Sequence, residues 1–129
     1  MAKKKIKILV VEDEPSLLEL YEMKLNESGY DVVIASNGME GYGLAELEKP
    51  DLILLDILMP EVDGYGMLQK LKESKTTKDI PAIIFSNLSQ KEEIEKGLRL
   101  GAKDFIIKTS ITPTQMEEKV KEFLQKYKK

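Results

Sequence analysis

Short apolar runs alternate with stretches of helical periodicity along the whole chain. Five runs rich in Val, Ile and Leu predict β-strands, at residues 6–11, 31–35, 51–56, 80–86 and 103–108. The third run, "DLILLD", has no polar residue between its two aspartates, which is typical of a strand that is covered on both faces. The pattern therefore favours a buried parallel sheet.

The segments that follow the strands have the spacing of helices. In the first of them, Pro15 suits an opening helical turn and Gly29 suits the residue just beyond the helix end. The second and third helices are predicted at residues 38–48 and 64–75.

Two further helices are marked by their first turns. Ser89, followed three residues later by Glu92, predicts a capping box that opens the fourth helix, which carries Ile94 and Leu98 and ends at Gly101. The fifth helix is predicted to start at Thr112, Pro113 and Gln115. Its apolar stripe at helical spacing consists of Met116, Val120, Phe123, Leu124 and Tyr127.

Five strands that alternate with five helices through short loops make repeated βαβ units. Crossovers between parallel strands are right-handed in almost all proteins, so these units assemble into one sheet with helices on both faces. We therefore predict a doubly wound α/β fold in one domain, which a length of 129 residues fits.

Composition restricts the chemistry. The chain contains neither cysteine nor histidine, which excludes disulfides, thiolate nucleophiles and the usual zinc ligands. Its formal net charge of −3 argues against binding nucleic acid through bulk charge. No apolar run is long enough to cross a bilayer, and the first one is too short for a secretory signal, so we expect a cytoplasmic protein.

Polar residues stand at the carboxyl ends of four predicted strands. Glu12 and Asp13 follow the first strand. Asp56, Ser86 and Lys108 end the third, fourth and fifth strands. Parallel strands end on one side of such a sheet, where ligands bind, so these side chains should converge. Taken singly, each residue also fits a structural role, such as a helix cap, a loop hydrogen bond, a turn residue or a solvated lysine.

Three carboxylates at one point repel one another. A divalent cation held by oxygen atoms removes that repulsion without requiring any of the carboxylates to be protonated. Mg²⁺ suits such a site because it takes a few protein oxygens and keeps several waters. The sequence therefore predicts a magnesium site at this edge of the sheet.

Four stretches, "ILVVEDEP", "DLILLDILMPEVDG", "IIFSN" and "DFIIK", resemble the receiver domain of two-component response regulators. They occur in that family's order, and the resemblance covers essentially the whole chain. It implies a CheY-like, flavodoxin-like fold with strand order 2-1-3-4-5. It also implies a protein that is not a dedicated enzyme. Such a protein takes a phosphoryl group onto an aspartate from a phosphohistidine on a sensor histidine kinase or phosphotransfer protein.

The resemblance also assigns a role to each acidic residue. Asp56 is implied to be the phosphoacceptor. Asp13 and Asp56 would bind Mg²⁺ directly and Glu12 would bind it through water. The backbone carbonyl of Leu58 would supply one more ligand, for which the apolar side chain is irrelevant.

The remaining implied roles concern the phosphoryl group and the response to it. Lys108 would pair with one phosphoryl oxygen and Ser86 would hydrogen-bond another. Phe105 occupies the aromatic switch position, where it would rotate inward as Ser86 shifts. The fourth helix, fifth strand and fifth helix would form the output face, for an unknown protein target or for a homodimer. No direct nucleic-acid or membrane partner is implied.

The chain departs from the family's pattern at a few positions. Thr109 stands where proline usually follows the lysine, which predicts a peptide bond that is trans or strained. Phe105 lacks the hydroxyl that a tyrosine would have. Leu58 and Leu88 stand where polar groups often orient an attacking water, which predicts slow loss of phosphate from Asp56.

Two other functions fit parts of this pattern. A magnesium-dependent phosphohydrolase with an aspartate nucleophile needs a second aspartate where Leu58 stands. A receiver-shaped interaction module would bind partners without phosphorylation, which the complete acidic set and Lys108 disfavour. We interpret residues 1–129 as a single receiver domain with no output domain visible, either a stand-alone regulator or a part of a longer protein.

Overall fold

The computed structural model describes residues 5–59 and 61–127, which build a five-stranded parallel sheet. Neighbouring strands are parallel throughout and follow the predicted order, β2-β1-β3-β4-β5. The strands are β1 (Lys7–Val11), β2 (Asp31–Ala35), β3 (Leu52–Leu55), β4 (Ala82–Ser86) and β5 (Asp104–Ile107).

Five helices lie between or after the strands, as predicted. They are α1 (Pro15–Glu27), α2 (Gly38–Glu48), α3 (Gly64–Glu73), α4 (Lys91–Arg99) and α5 (Pro113–Tyr127). Pro15 opens α1, and Gly29 lies just beyond its end with a left-handed φ of 93°. Thr112 and Gln115 exchange hydrogen bonds of 2.8 and 3.1 Å at the start of α5, which confirms that helix start.

Each face of the sheet has its own apolar core. Ile8 and Val10 of β1 face the side covered by α1 and α5, whereas Leu9 and Val11 face the side of α2 and α3. Every residue of β3 is buried because both of its faces are covered, which confirms the interpretation of its unbroken apolar run. The central strands are therefore packed on both faces.

Several predicted bounds were wrong, such as the end of α3, which lies at Glu73 and not at residue 75. The capping box of α4 uses Glu93 and not Glu92. The backbone N–H of Gln90, the residue before the helix, donates to Glu93 Oε1 at 3.0 Å, because the helix begins one residue later than expected. The fifth strand does not reach Lys108. It ends at Ile107, and Lys108 opens a 3₁₀ turn, Lys108–Ser110, that leads towards α5.

The backbone around Lys108 is regular. Among residues 5–59 and 61–127 every peptide bond is trans, including the bond to Thr109 where the sequence left strain open. In the same residues, no helix combines the length and the apolar character needed to span a bilayer.

Candidate functional site

The carboxyl ends of β1 and β3 place two acidic side chains next to each other. Val11 and Leu55 are partners in the parallel register, so Glu12 and Asp56 leave adjacent strands side by side. Glu12 is only 2% exposed and Asp56 only 6%. Asp13, the next residue after Glu12, is exposed at the rim. The predicted convergence of these three acids is confirmed.

The three carboxylates are close enough to share one cation. Each offers an oxygen, and these oxygens all lie within 4.8 Å of one another. Oxygen donors suit a hard divalent ion, and burial of two of the three makes their mutual repulsion costly without a positive charge. Glu12, Asp13 and Asp56 therefore fit Mg²⁺. The carbonyl of Leu58 as a further ligand stays a prediction.

Lys108 supplies a positive charge to this cluster. Its ammonium group donates to Asp56 Oδ2 at 2.9 Å and also to Glu12 Oε1, and its side chain is only 8% exposed. Burial alone would lower the pKa of Lys108, but the hydrogen bonds to Glu12 and Asp56 outweigh it and raise the pKa above its usual value. Lys108 thus stays charged and ties the ends of β1, β3 and β5 together.

Backbone groups hold the two buried carboxylates in place. The other oxygen of Asp56, Oδ1, accepts from the N–H of Ile57 at 2.7 Å, and Glu12 Oε2 accepts from the N–H of Glu14 at 3.1 Å. Burial raises the pKa of Glu12, and the hydrogen bonds from Lys108 and from the Glu14 backbone oppose that rise. The bonds from the Ile57 N–H and from Lys108 orient the carboxylate of Asp56 before any ligand arrives.

Ser86 lies at the same sheet edge, but its hydroxyl makes a local contact. Leu55 and Ile84 are register partners, so Asp56 and Ser86 leave neighbouring strands near each other. Ser86 is fully buried, and its Oγ accepts from the N–H of Leu88 at 3.4 Å. The role of this hydroxyl towards a phosphoryl group therefore stays a prediction.

The roles assigned to Phe105 and to the Leu58 carbonyl stay predictions, and the structure gives the positions of both residues. Phe105 is half-buried and pairs in register with Ile84 of β4, on the face that α4 covers. Leu58 is 57% exposed, just beyond Asp56, so its side chain faces solvent at the rim and not the core.

One contact of the site was not foreseen from the sequence. It is the bond from Lys108 to Glu12, since the sequence suggested only a phosphoryl partner for this lysine. Gly64 fits the role in shaping the loop beneath the site that the resemblance implies, and its position leaves no room for a side chain: a Cβ there would lie 2.2 Å from the backbone oxygen of Asp56. The "DG" pair before the third helix was the available signal for this close approach.

Comparison with known proteins agrees with this geometry. Residues 8–121 match the family described as "Response regulator receiver domain". The chain is 40% identical over 122 residues to the alkaline phosphatase synthesis transcriptional regulatory protein PhoP of Bacillus subtilis, covering 93% of this chain and 49% of that protein. It is 38% identical over 125 residues to the probable transcriptional regulator ycf27 of Porphyridium aerugineum, covering 97% of this chain and 50% of that one.

A solved structure shows the same fold. The response regulator receiver domain protein (CheY-like) from Methanospirillum hungatei superposes with a TM-score of 0.88 at 29% identity, covering 96% of this chain and 97% of that one. The chain thus matches this structure along nearly its full length, whereas it spans about half the length of the curated relatives.

Proposed function

Because the chain belongs to the response regulator receiver domain family of two-component regulators, we propose that Asp56 accepts a phosphoryl group in a Mg²⁺-dependent reaction. The donor is a phosphohistidine on a sensor histidine kinase or on a phosphotransfer protein. The family is one of receiver domains and not of dedicated enzymes. The protein's own residues nevertheless carry out the transfer onto Asp56.

One observation carries this proposal. The buried carboxylate of Asp56 lies within 4.8 Å of oxygens from Glu12 and Asp13. It also lies 2.9 Å from the ammonium group of Lys108. A purely structural aspartate needs neither two further acids nor a buried lysine, because one loop hydrogen bond satisfies it. A phosphoacceptor needs all of them, since the incoming phosphoryl group brings negative charge to a carboxylate.

The transfer is a displacement at phosphorus. An oxygen of Asp56 forms the new P–O bond while the P–N bond of the donor breaks, and its electron pair leaves on the imidazole nitrogen. Lys108, already bonded to Asp56, neutralises a phosphoryl oxygen, and Ser86 donates its hydroxyl to another. Bound Mg²⁺, held by Glu12, Asp13 and Asp56, would offset the repulsion between carboxylate and phosphate.

Intact mass spectrometry after incubation with acetyl phosphate and Mg²⁺ tests the proposal. The parent protein should gain one phosphoryl group, and Asp56→Asn should gain none. Asp79→Asn is the matched control, because Asp79 is exposed and lies before β4, at the other end of the sheet. Equal labelling of Asp56→Asn and the parent would overturn the assignment. Absence of labelling in the parent would instead support a phosphorylation-independent interaction module.

The acyl phosphate should be lost slowly. Leu58 is exposed at the rim and Leu88 is half-buried, so neither side chain offers a polar group to orient an attacking water. Following the decay of the labelled protein by mass would measure this, and Leu58→Asn should accelerate it. A lifetime of seconds in the parent would contradict the expectation.

The output is a change in the surface formed by α4, β5 and α5. Shifts of Ser86 and Phe105 bring this change about. We propose that this surface binds a downstream protein, or a second copy of the chain, in the phosphorylated state. We further propose that the protein is cytoplasmic and that residues 1–129 contact neither a membrane nor nucleic acid. The names of the relatives describe those proteins as transcriptional regulators, and regulation through DNA binding would need residues other than these.

A further inference from the structure

Helix α4 buries almost none of its own side chains. Of its nine residues only Gly97 is buried, and Leu98, an apolar residue, is 44% exposed. Helix α5, by comparison, buries Met116, Val120, Phe123 and Leu124. Apolar burial is the main force that fixes a helix to a sheet, so α4 needs another attachment.

A side chain of α3 provides one such attachment, beside the close packing of Gly97 on Ile84 and Phe105. The hydroxyl of Tyr65 donates to the backbone oxygen of Glu93, in the first turn of α4, at 2.9 Å. The ammonium group of Lys96, one turn further along α4, lies 4.5 Å from the centre of the Tyr65 ring, which is a cation–π distance. The ring and the hydroxyl of Tyr65 therefore each contact α4, through different groups.

Tyr65 also directly follows the glycine that packs on the backbone of the phosphoacceptor. Its neighbour Gly64 donates its N–H to the carbonyl of Ile57 at 2.9 Å, directly after Asp56. A Cβ at Gly64 would lie 2.2 Å from the backbone oxygen of Asp56, so the first turn of α3 rests on the Asp56 backbone. A shift of the backbone at Asp56 would therefore displace the first turn of α3, which carries Tyr65.

We infer that Tyr65 is a positioning residue that holds α4 in its resting place and so sets how readily the chain reaches its phosphorylated conformation. This inference rests on the proposed function. A single hydrogen bond contributes roughly 1 kcal/mol, or about a fivefold change in an equilibrium between two conformations. Loss of the Tyr65 hydroxyl should therefore release α4 by about that factor without unfolding the domain.

Amide hydrogen exchange of the unphosphorylated protein tests the attachment itself. Tyr65→Phe keeps the ring and removes only the hydroxyl, and the amides of Lys91–Arg99 should then exchange about fivefold faster. Tyr42→Phe is the matched control, because the Tyr42 hydroxyl donates at 3.1 Å to Glu46 within the same helix. Unchanged exchange in α4 of Tyr65→Phe, or a uniform rise in every helix, would overturn the inference.

Lys96→Gln separates the two contacts that Tyr65 makes. It removes the cation above the ring and leaves the hydroxyl bond to Glu93 intact. Exchange in α4 should rise about twofold, less than in Tyr65→Phe, because an exposed cation–π contact is weaker than the hydrogen bond. A larger effect than that of Tyr65→Phe would show that the hydroxyl is not the main attachment.

The rate of phosphorylation by acetyl phosphate with Mg²⁺ tests the consequence. Tyr65→Phe should be labelled up to about fivefold faster than the parent and than Tyr42→Phe, because less free energy is needed to move α4. Faster exchange in α4 with an unchanged labelling rate would show a purely structural role and overturn the inference. If the parent accepts no phosphate, the proposed function and this kinetic consequence fail together. The exchange result would still decide whether Tyr65 holds α4.

Discussion

The helices on either side of β5 are attached to the sheet in opposite ways. Helix α5 follows β5 and buries four apolar side chains against it and its neighbours. Helix α4 precedes β5, buries only Gly97, and is tied to α3 by the hydroxyl and the ring of Tyr65. Each large apolar side chain contributes roughly 1.5–3 kcal/mol when buried, whereas a hydrogen bond contributes about 1 kcal/mol net.

This difference indicates which parts of the domain can respond to a small change at the site. Moving α5 would expose several apolar side chains, which no single charge at Asp56 could offset. Moving α4 breaks a few polar contacts and the packing of Gly97 on Ile84 and Phe105, but it exposes few apolar side chains. Glu12, Asp56 and Lys108 thus lie at the ends of well-packed strands, while α4 is held weakly enough to shift.

The largest effect should come from α5. Phe123 is 5% exposed, and its ring lies 6.1 Å from that of Tyr127. Phe123→Ala removes a buried aromatic ring and leaves a cavity, so it should lower the free energy of unfolding by about 3–5 kcal/mol. Urea denaturation followed by circular dichroism measures this. A loss below 1 kcal/mol would mean that α5 is no better anchored than α4.

The acidic site is a third case, because it is polar and yet buried. Lys108→Met leaves Glu12 and Asp56 without their positive partner, and should cost about 3 kcal/mol in the absence of divalent ions. Adding Mg²⁺ should restore part of this loss, since a cation then neutralises the same carboxylates. Denaturation with Mg²⁺ and with chelator would show the difference.

Lys121→Met serves as the matched control for that experiment. Lys121 is exposed on α5, whereas Lys108 is buried between the acids, so the loss of Lys121 should change stability by less than about 0.5 kcal/mol with or without Mg²⁺. Equal losses in the two variants would contradict a buried ion-pair role for Lys108.

A smaller effect is expected where α3 meets the phosphoacceptor. Gly64→Ala forces a Cβ against the Asp56 backbone, which cannot rotate away, and should destabilise the domain by about 2 kcal/mol and slow labelling by acetyl phosphate. Gly43→Ala is its control, since open space surrounds that helical glycine, and it should stabilise by about 0.5–1 kcal/mol. Faster labelling of Gly64→Ala would contradict the geometry.

The smallest effect should come from α4 itself. Leu98 is 44% exposed, so Leu98→Ala should change the free energy of unfolding by less than about 0.5 kcal/mol. The comparison with Phe123→Ala is direct, because both variants truncate a large apolar side chain on a helix beside β5. A loss of 2 kcal/mol or more would show that α4 is fixed by apolar burial after all.

Most of the fold could be predicted from local patterns. The bounds of α2 are those predicted, and the caps of α1 and α5 lie where Pro15, Gly29 and the Thr112–Gln115 pair placed them. The start of α4 was missed by one residue, because "SQKEE" contains the capping pattern in two registers and the local sequence does not choose between them. Which register forms depends on how the chain leaves β4.

The candidate site was predictable as a set of residues, but not as a set of contacts. Strand ends in a parallel sheet converge by topology, so Glu12, Asp13 and Asp56 could be brought together from sequence alone. The bonds of Lys108 to both Glu12 and Asp56 depend on the 3₁₀ turn that carries it, which no local pattern announced.

The sequence by itself determined the helices and strands, their order and the residues that meet at one edge of the sheet. Hydrophobic periodicity, helix caps and apolar runs are local signals. Only the tertiary structure decided that Tyr65 bonds Glu93, 28 positions along the chain, and that α4 has so little buried surface. Such facts depend on which side chains face each other after the helices pack. Spacing along the chain does not encode that.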